Sequence, residues 1–168
     1  VDEHERKRRF PVEIVKRLGE MGWLGIPIPE DEGGSGLDTL AYAIAIEEIG
    51  RVWGSLGLIV AAHTSLGCGP LHLAGTQQQK ERYLAPMASG KVLGGYGLTE
   101  PGAGSDAGGT RTTARFEDGP DGGWWVIDGG KRFITNAGHA GTYIVTLKCE
   151  GEAFPESHRA HLVVGFKP

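Results

Sequence analysis

The spacing of apolar residues divides the chain near Gly90. Upstream of it, Phe10, Ile14, Leu18 and Met21 recur at intervals of four, four and three. That is one face of an amphipathic helix, with Pro11 in its first turn and Gly19 and Gly22 weakening its end. Asp38 is placed to cap a second helix, Thr39 to about Arg51, with Leu40, Ala43, Ile44 and Ile49 as its core positions. Ser55 can start a third helix through Leu56, Ile59, Val60, His63 and Leu66. Thr76-Gln-Gln-Gln79 has the capping-box pattern and opens a fourth, ending near Met87.

Beyond Gly90 the pattern shortens to strands separated by glycine turns. An apolar run (Val92, Leu93, Tyr96, Leu98) is followed by strand-like stretches at Thr110–Phe116, Trp124–Ile127, Thr142–Cys149 and His161–Phe166. Asp128-Gly129-Gly130 is turn chemistry, and Lys131 to Thr135 reads as the return strand of a hairpin. Of 29 glycines, 16 lie after Gly90 and 13 up to it, which fits a unit of many tight turns. The expectation is an α+β multi-domain chain: residues 1–90 an all-α bundle, and residues 91–168 the start of a β-barrel or sandwich.

Two stretches carry candidate chemistry. Thr99-Glu-Pro-Gly-Ala-Gly-Ser-Asp106 joins two strand-like segments. Gly102 and Gly104 lack Cβ atoms, so their N–H groups can approach a ligand closely, and Thr99 and Ser105 add hydroxyls that donate or accept. Such a loop suits a flat polar heterocycle joined to phosphate; a plain strand-to-strand turn is the structural alternative. Gly102-x-Gly104-x-x-Ala107 also matches the dinucleotide fingerprint, but the strand-like continuation from Thr110 denies it the helix which that fingerprint requires. A nucleophile elbow fails as well, because Ser105 has Ala103 and Ala107 two residues away where glycines are needed. The second stretch, Trp124 to Asn136, offers an aromatic face, an apolar flank and a hydroxyl at Phe133-Ile134-Thr135.

Together these stretches resemble the acyl-CoA dehydrogenase family of flavoproteins. The similarity is carried by Tyr96-Gly-Leu-Thr-Glu-Pro-Gly-Ala-Gly-Ser105-Asp, by Gly-Gly-Lys-Arg-Phe133-Ile-Thr-Asn136, and upstream by Gly25 to Asp38, Ser65 to Pro70 and Gly75 to Lys80. The resemblance runs from about Phe10 to the last residue and implies an N-terminal helical domain followed by part of the middle β-domain, with the family's C-terminal helical domain absent. It also implies FAD as cofactor and α,β-dehydrogenation of an acyl-CoA thioester, with hydride passing to flavin N5. Tyr96, Leu98 and Thr99 would lie along the isoalloxazine ring. Gly104 and Ser105 would reach the cofactor pyrophosphate, and Ser105 alternatively the acyl-CoA tail. Phe133 would stack near the flavin, with Ile134 and Thr135 bonding it. Phe133 stands where tryptophan is common in the family, which keeps the aromatic face and removes the indole N–H.

The resemblance places the catalytic base, a glutamate, outside this chain, so no catalytic residue is expected here. Glu100, between Thr99 and Pro101, is expected to fix the loop instead. Electron-transfer flavoprotein is the implied electron acceptor, and a homo-oligomer (tetramer or dimer) the implied assembly. Fatty acid or amino acid catabolism is the implied setting. An acyl-CoA oxidase or a flavin-dependent monooxygenase would use the same fold, and a non-enzymatic β-domain binding module is the alternative from another class. The Ser65-Leu66 and Gly69-Pro70 positions are similar to the short-chain branch.

Composition narrows the remaining classes. A net charge of −4 and a pI of about 5.9 give no nucleic-acid or anionic-membrane footprint. The run Arg6-Lys7-Arg8-Arg9 is flanked by Asp2, Glu3 and Glu5 and reads as a solvated helix start. Cys68 and Cys149 make no metal or redox spacing, and reduced thiols in a cytoplasmic compartment (the mitochondrial matrix in a eukaryote) are expected. The longest uninterrupted apolar run, Leu56 to Ala62, is too short for a membrane span. His63 and His72 are expected to be core or surface residues, His158-x-x-His161 not to hold a metal, and Glu47 and Glu48 to be paired or solvent-facing. The chain lacks an initial Met and stops after an apolar run, so it is expected to belong to a longer protein.

Overall fold

A computed structural model describes residues 1–120 and 123–149, together with the backbone of strand His161–Gly165. The chain is α+β, with helices up to Ala88 and two small sheets after it. The helices are α1 (Asp2–Lys7), α2 (Val12–Glu20), α3 (Thr39–Val52), α4 (Gly54–Ala74) and α5 (residues 77–88). Both caps read from the sequence form. The Asp38 carboxylate accepts from the Ala41 N–H, and Thr76 and Gln79 close a reciprocal capping box.

The core faces of the helices differ in part from the periodicity. In α2, Val15 and Gly19 are buried, Phe10, Ile14 and Leu18 pack around them, and Met21 is exposed. In α3, Ile49 is buried and Ile46 packs beside it, whereas Leu40, Ala43 and Ile44 are exposed. This helix is apolar on more than one side, so periodicity identifies a stripe without deciding which stripe the chain covers. Leu66 on α4 is likewise exposed.

Helix α4 is the centre of the helical part. It runs 21 residues and passes through a π-helical segment at Ala62–Cys68. By length and composition it is apolar enough to cross a membrane, which the short apolar run does not reveal. Here Leu56, Ile59 and Val60 pack into one core with Trp53, and Cys68 and Leu71 into a second with Leu84, Met87 and Ile144. It serves as a core helix.

The strands are β1 (Gly94–Gly97), β2 (Thr113–Glu117), β3 (Trp124–Asp128), β4 (Thr142–Thr146), β5 (Lys148–Cys149) and β6 (His161–Gly165). One sheet has the order β1-β4-β6, with β1 parallel and β6 antiparallel to β4; the other has the order β3-β2-β5. The chain passes from the first sheet to the second at buried Leu147, between β4 and β5. The return strand expected at Lys131–Thr135 does not form. Strand β3 pairs instead with β2, Thr113 opposite Asp128. Phe133 takes φ of 57°, a left-handed backbone that no extended strand accommodates.

Strand β1 meets α4 backbone to backbone. A Cβ built on Gly94 would lie 3.2 Å from the Gly67 Cα, so two glycines permit the approach.

Candidate functional site

The loop after β1 is built around a buried carboxylate. A tight turn closes when the Glu100 N–H donates to the Ala103 carbonyl (2.8 Å) and the Ala103 N–H returns to Glu100 (3.2 Å). The Glu100 side chain then accepts from the Arg111 N–H (2.6 Å), the Thr112 N–H (3.0 Å), the Thr112 hydroxyl (2.6 Å) and the Lys131 ammonium (2.7 Å). Burial raises the carboxyl pKa, but Lys131, the Thr112 hydroxyl and the two backbone donors outweigh it and hold the group down at about 2. Glu100 fixes the loop, and a carboxyl held this low is too weak a base to abstract a proton readily.

Lys131 ties this loop to the second candidate stretch. Its ammonium also donates to the Leu98 carbonyl (3.0 Å) and the Thr146 hydroxyl (3.4 Å), and the Arg132 N–H donates to the Thr99 carbonyl (2.8 Å). Ile134 flanks Gly97, where an added Cβ would lie 3.5 Å from Ile134 Cδ1. Tyr96, Leu98 and Thr99 therefore run beside Lys131 to Thr135, although the latter is not a strand. Tyr96 is half-buried against the cluster that contains Ile144.

Phe133 points outward, 81% exposed, with the Arg132 guanidinium 4.9 Å from its ring centroid. A left-handed backbone at an exposed aromatic residue is strain that its own packing does not repay. Among the described residues, no hydrogen bond engages the hydroxyls of Thr99, Ser105 or Thr135, or the N–H groups of Phe133, Ile134 and Thr135. Gly104 and Ser105 sit on the exposed outer side of the loop, and no hydrogen bond joins them to residues 131–135.

The glycines of this region test whether a plain turn explains them. Gly102, Gly104 and Gly130 have no positive φ, and a Cβ at any of them would meet nothing within 4 Å. The chain's own geometry thus does not require glycine at these positions. Gly102 and Gly130 line, with Glu100 and Arg111, a cleft of about 270 Å³. Open glycine backbone, unengaged hydroxyls and amides, and an exposed aromatic ring are the groups this region presents to solvent.

His63 is buried, and His72 pairs with Glu32, which also holds Lys80 at 2.7 Å. Glu48 pairs with Arg51 and Glu47 is exposed. Burial pushes the Cys68 thiol up to about 12, and both cysteines are free. Among the described residues, no cluster of three or more His, Cys, Asp or Glu is placed to hold a metal; His158-x-x-His161 lies outside the described side chains. Sequence reasoning missed Lys131, read only as a strand residue, and the structural uses of His63 and Asn136. Only the position of Lys131 directly after a glycine turn hints at its role.

Comparison with known proteins places these elements in context. Residues 1–91 match the family model for the acyl-CoA dehydrogenase N-terminal domain, and residues 95–165 match the model for the middle domain of that family. A probable acyl-CoA dehydrogenase of Bacillus subtilis is 54% identical over 137 residues, which are 82% of this chain and 35% of that protein. The short-chain specific acyl-CoA dehydrogenase of Clostridium acetobutylicum is 47% identical over 145 residues, 86% of this chain and 36% of that protein. The structure of a Bacillus anthracis acyl-CoA dehydrogenase complexed with FAD superimposes with a TM-score of 0.81 at 40% identity, covering 92% of this chain and 25% of that one. The chain spans about a third of the length of the curated relatives it matches.

Proposed function

Because the chain belongs to the acyl-CoA dehydrogenase family, we propose that it supplies the flavin-edge half of an FAD-dependent enzyme that introduces an α,β double bond into an acyl-CoA thioester. The observation that carries this reading is the side-by-side placement of residues 96–99 and 131–135, tied by Lys131 and Arg132, with the Thr99 and Thr135 hydroxyls and the N–H groups of Phe133, Ile134 and Thr135 unengaged among the described residues. FAD, when bound, accepts the hydride leaving the β-carbon. The chain's own residues bind and orient. The Thr99 and Thr135 hydroxyls and the N–H groups of Ile134 and Thr135 would bond the heterocycle edge, and the Phe133 ring would cover a face of it. Gly104 and Ser105 would offer backbone and hydroxyl to the pyrophosphate or the thioester tail.

Glu100 is not the base, since both of its oxygens are committed and its pKa is held at about 2. A carboxylate outside the described residues fills that role. The similarity to short-chain relatives supports a short acyl group as substrate. An electron-transfer flavoprotein as acceptor, a homo-oligomeric state and a cytoplasmic or matrix location are parts of the same proposal.

The test is turnover of the full-length protein with a panel of acyl-CoA thioesters, using an artificial acceptor and, separately, oxygen. Turnover with the artificial acceptor that falls off for long acyl chains supports the proposal. Turnover with oxygen alone would make the protein an oxidase. A colourless protein that cannot be reconstituted with FAD would overturn the enzyme reading.

A further inference from the structure

Both backbone groups of Gly94, the first residue of β1, are held by buried side chains from opposite directions. The Gly94 N–H donates to His63 Nδ1 on α4 (2.8 Å). The Gly94 carbonyl accepts from Asn136 Nδ2 (3.0 Å), and the same amide nitrogen donates to the Ile59 carbonyl on α4 (3.3 Å). Because Nδ1 accepts, the imidazole proton resides on Nε2, which donates to the Met87 carbonyl (3.2 Å). His63 is fully buried and Asn136 is 6% exposed. The space around Gly94 is filled: an added Cβ there would lie 2.9 Å from Met87 Sδ and 3.4 Å from His63 Nδ1.

Asn136 follows Thr135 directly and takes φ of 71°, a left-handed conformation that asparagine tolerates better than most residues. Its Oδ1 is buried without a partner among the described residues, so the amide is oriented by its two donated bonds alone. The start of β1 and the end of the 131–136 segment are therefore pinned to one residue, and that residue to α4. A strand held only by its ladder can slip in register, and a slip of one residue reverses every side chain.

We propose that His63 and Asn136 are positioning residues, a clamp on Gly94 that sets the height of the Tyr96–Thr99 edge relative to the Phe133–Thr135 edge. Resting on the flavin reading above, the clamp aligns the donors of the two segments on one heterocycle without touching it. Neither residue belongs to the contact set proposed for FAD.

The two ring nitrogens can be tested separately. In His63→Asn, the side-chain oxygen replaces the Nδ1 acceptor and the donor to Met87 is lost. In His63→Gln, the amide reaches the Nε2 position and the acceptor for Gly94 is lost. In the full-length protein, His63→Asn is expected to keep FAD affinity within about threefold of wild type, with an unchanged visible absorption band. His63→Gln is expected to weaken FAD by about tenfold or more, shift that band, and speed hydrogen exchange in peptides spanning Gly94. Asn136→Gly, which keeps the left-handed backbone accessible and removes the side-chain amide with its methylene, is expected to do the same and to speed exchange across residues 131–136. It stands as the test if His63→Gln does not fold.

Equal behaviour of the Asn and Gln variants, or a Gln variant or Asn136→Gly that matches wild type, overturns the clamp. A wild-type protein that holds no FAD overturns the flavin reading instead, while the exchange rates at Gly94 still test the clamp.

Discussion

Replacing Lys131 with methionine tests the joint between the two candidate segments. The lysine side chain is 7% exposed and its carboxylate partner 6%, so the pair is screened little by solvent. The three ammonium hydrogens have three acceptors: Glu100 Oε1, the Leu98 carbonyl and the Thr146 hydroxyl. Methionine conserves most of the volume and removes all three bonds. Glu100 keeps its Thr112 and Arg111 donors but becomes a buried charge without a counter-ion. Removing one partner of a buried pair costs about 3–5 kcal/mol, against about 0–1 kcal/mol for an exposed pair. Arg17–Glu20, at 73% and 50% side-chain exposure, serves as the exposed control. Urea unfolding of the full-length protein should show a loss of about 3 kcal/mol or more for Lys131→Met and under about 1 kcal/mol for Arg17→Met. The double variant Lys131→Met/Glu100→Gln removes both charges and should recover part of the loss, giving a coupling energy of about 1–3 kcal/mol. A Lys131→Met cost below about 1 kcal/mol, or strictly additive single variants, would refute the view that this pair joins the loop to residues 131–135.

Three further expectations follow from individual groups. Thr99→Ala should raise the Kd for FAD about fivefold to tenfold through loss of one hydrogen bond, with Thr99→Ser restoring most of it; fluorescence of released FAD measures both. Gly104→Ala meets no internal atom and no positive φ, so melting temperature should hold or rise slightly while FAD or acyl-CoA binding weakens; a fall in melting temperature would contradict the open cradle. Burial lowers the His63 pKa to about 4, against its hydrogen bond to the Met87 carbonyl, which raises it. The unfolded chain therefore takes up a proton as pH falls below about 6.5 while the folded chain does not until about pH 4, and stability declines across that window by about 3 kcal/mol. The titratable side chain against the ring is Cys68, whose thiol stays protonated throughout. His63→Asn should flatten the decline, as measured by urea unfolding at a series of pH values.

What was legible in the sequence was what local chemistry decides. The Asp38 cap and the Thr76–Gln79 box involve partners three residues apart, so their residue types announce them. The loop at Thr99–Asp106 is legible as a loop because its glycines and hydroxyls lie between strand signals. The outer faces of α2 and α3 were not: Met21, Leu40 and Ile44 continue an apolar period, and only the tertiary arrangement decides whether a neighbour covers them. The return strand expected at Lys131–Thr135 does not form because the decisive contacts of that segment are long-range. Lys131 is drawn to Glu100, 31 positions away, and β2 takes the pairing with β3. For the same reason the partners of His63 and Asn136, 31 and 42 positions from Gly94, carry no local signature.

The most direct measurement of the central claim is hydrogen exchange of the full-length protein with and without FAD. The account predicts that peptides spanning residues 96–100 and 131–136 both gain protection when FAD binds, and that Thr99→Ala reduces the gain in each. FAD that binds stoichiometrically and leaves both segments exchanging as they do without it would contradict the account.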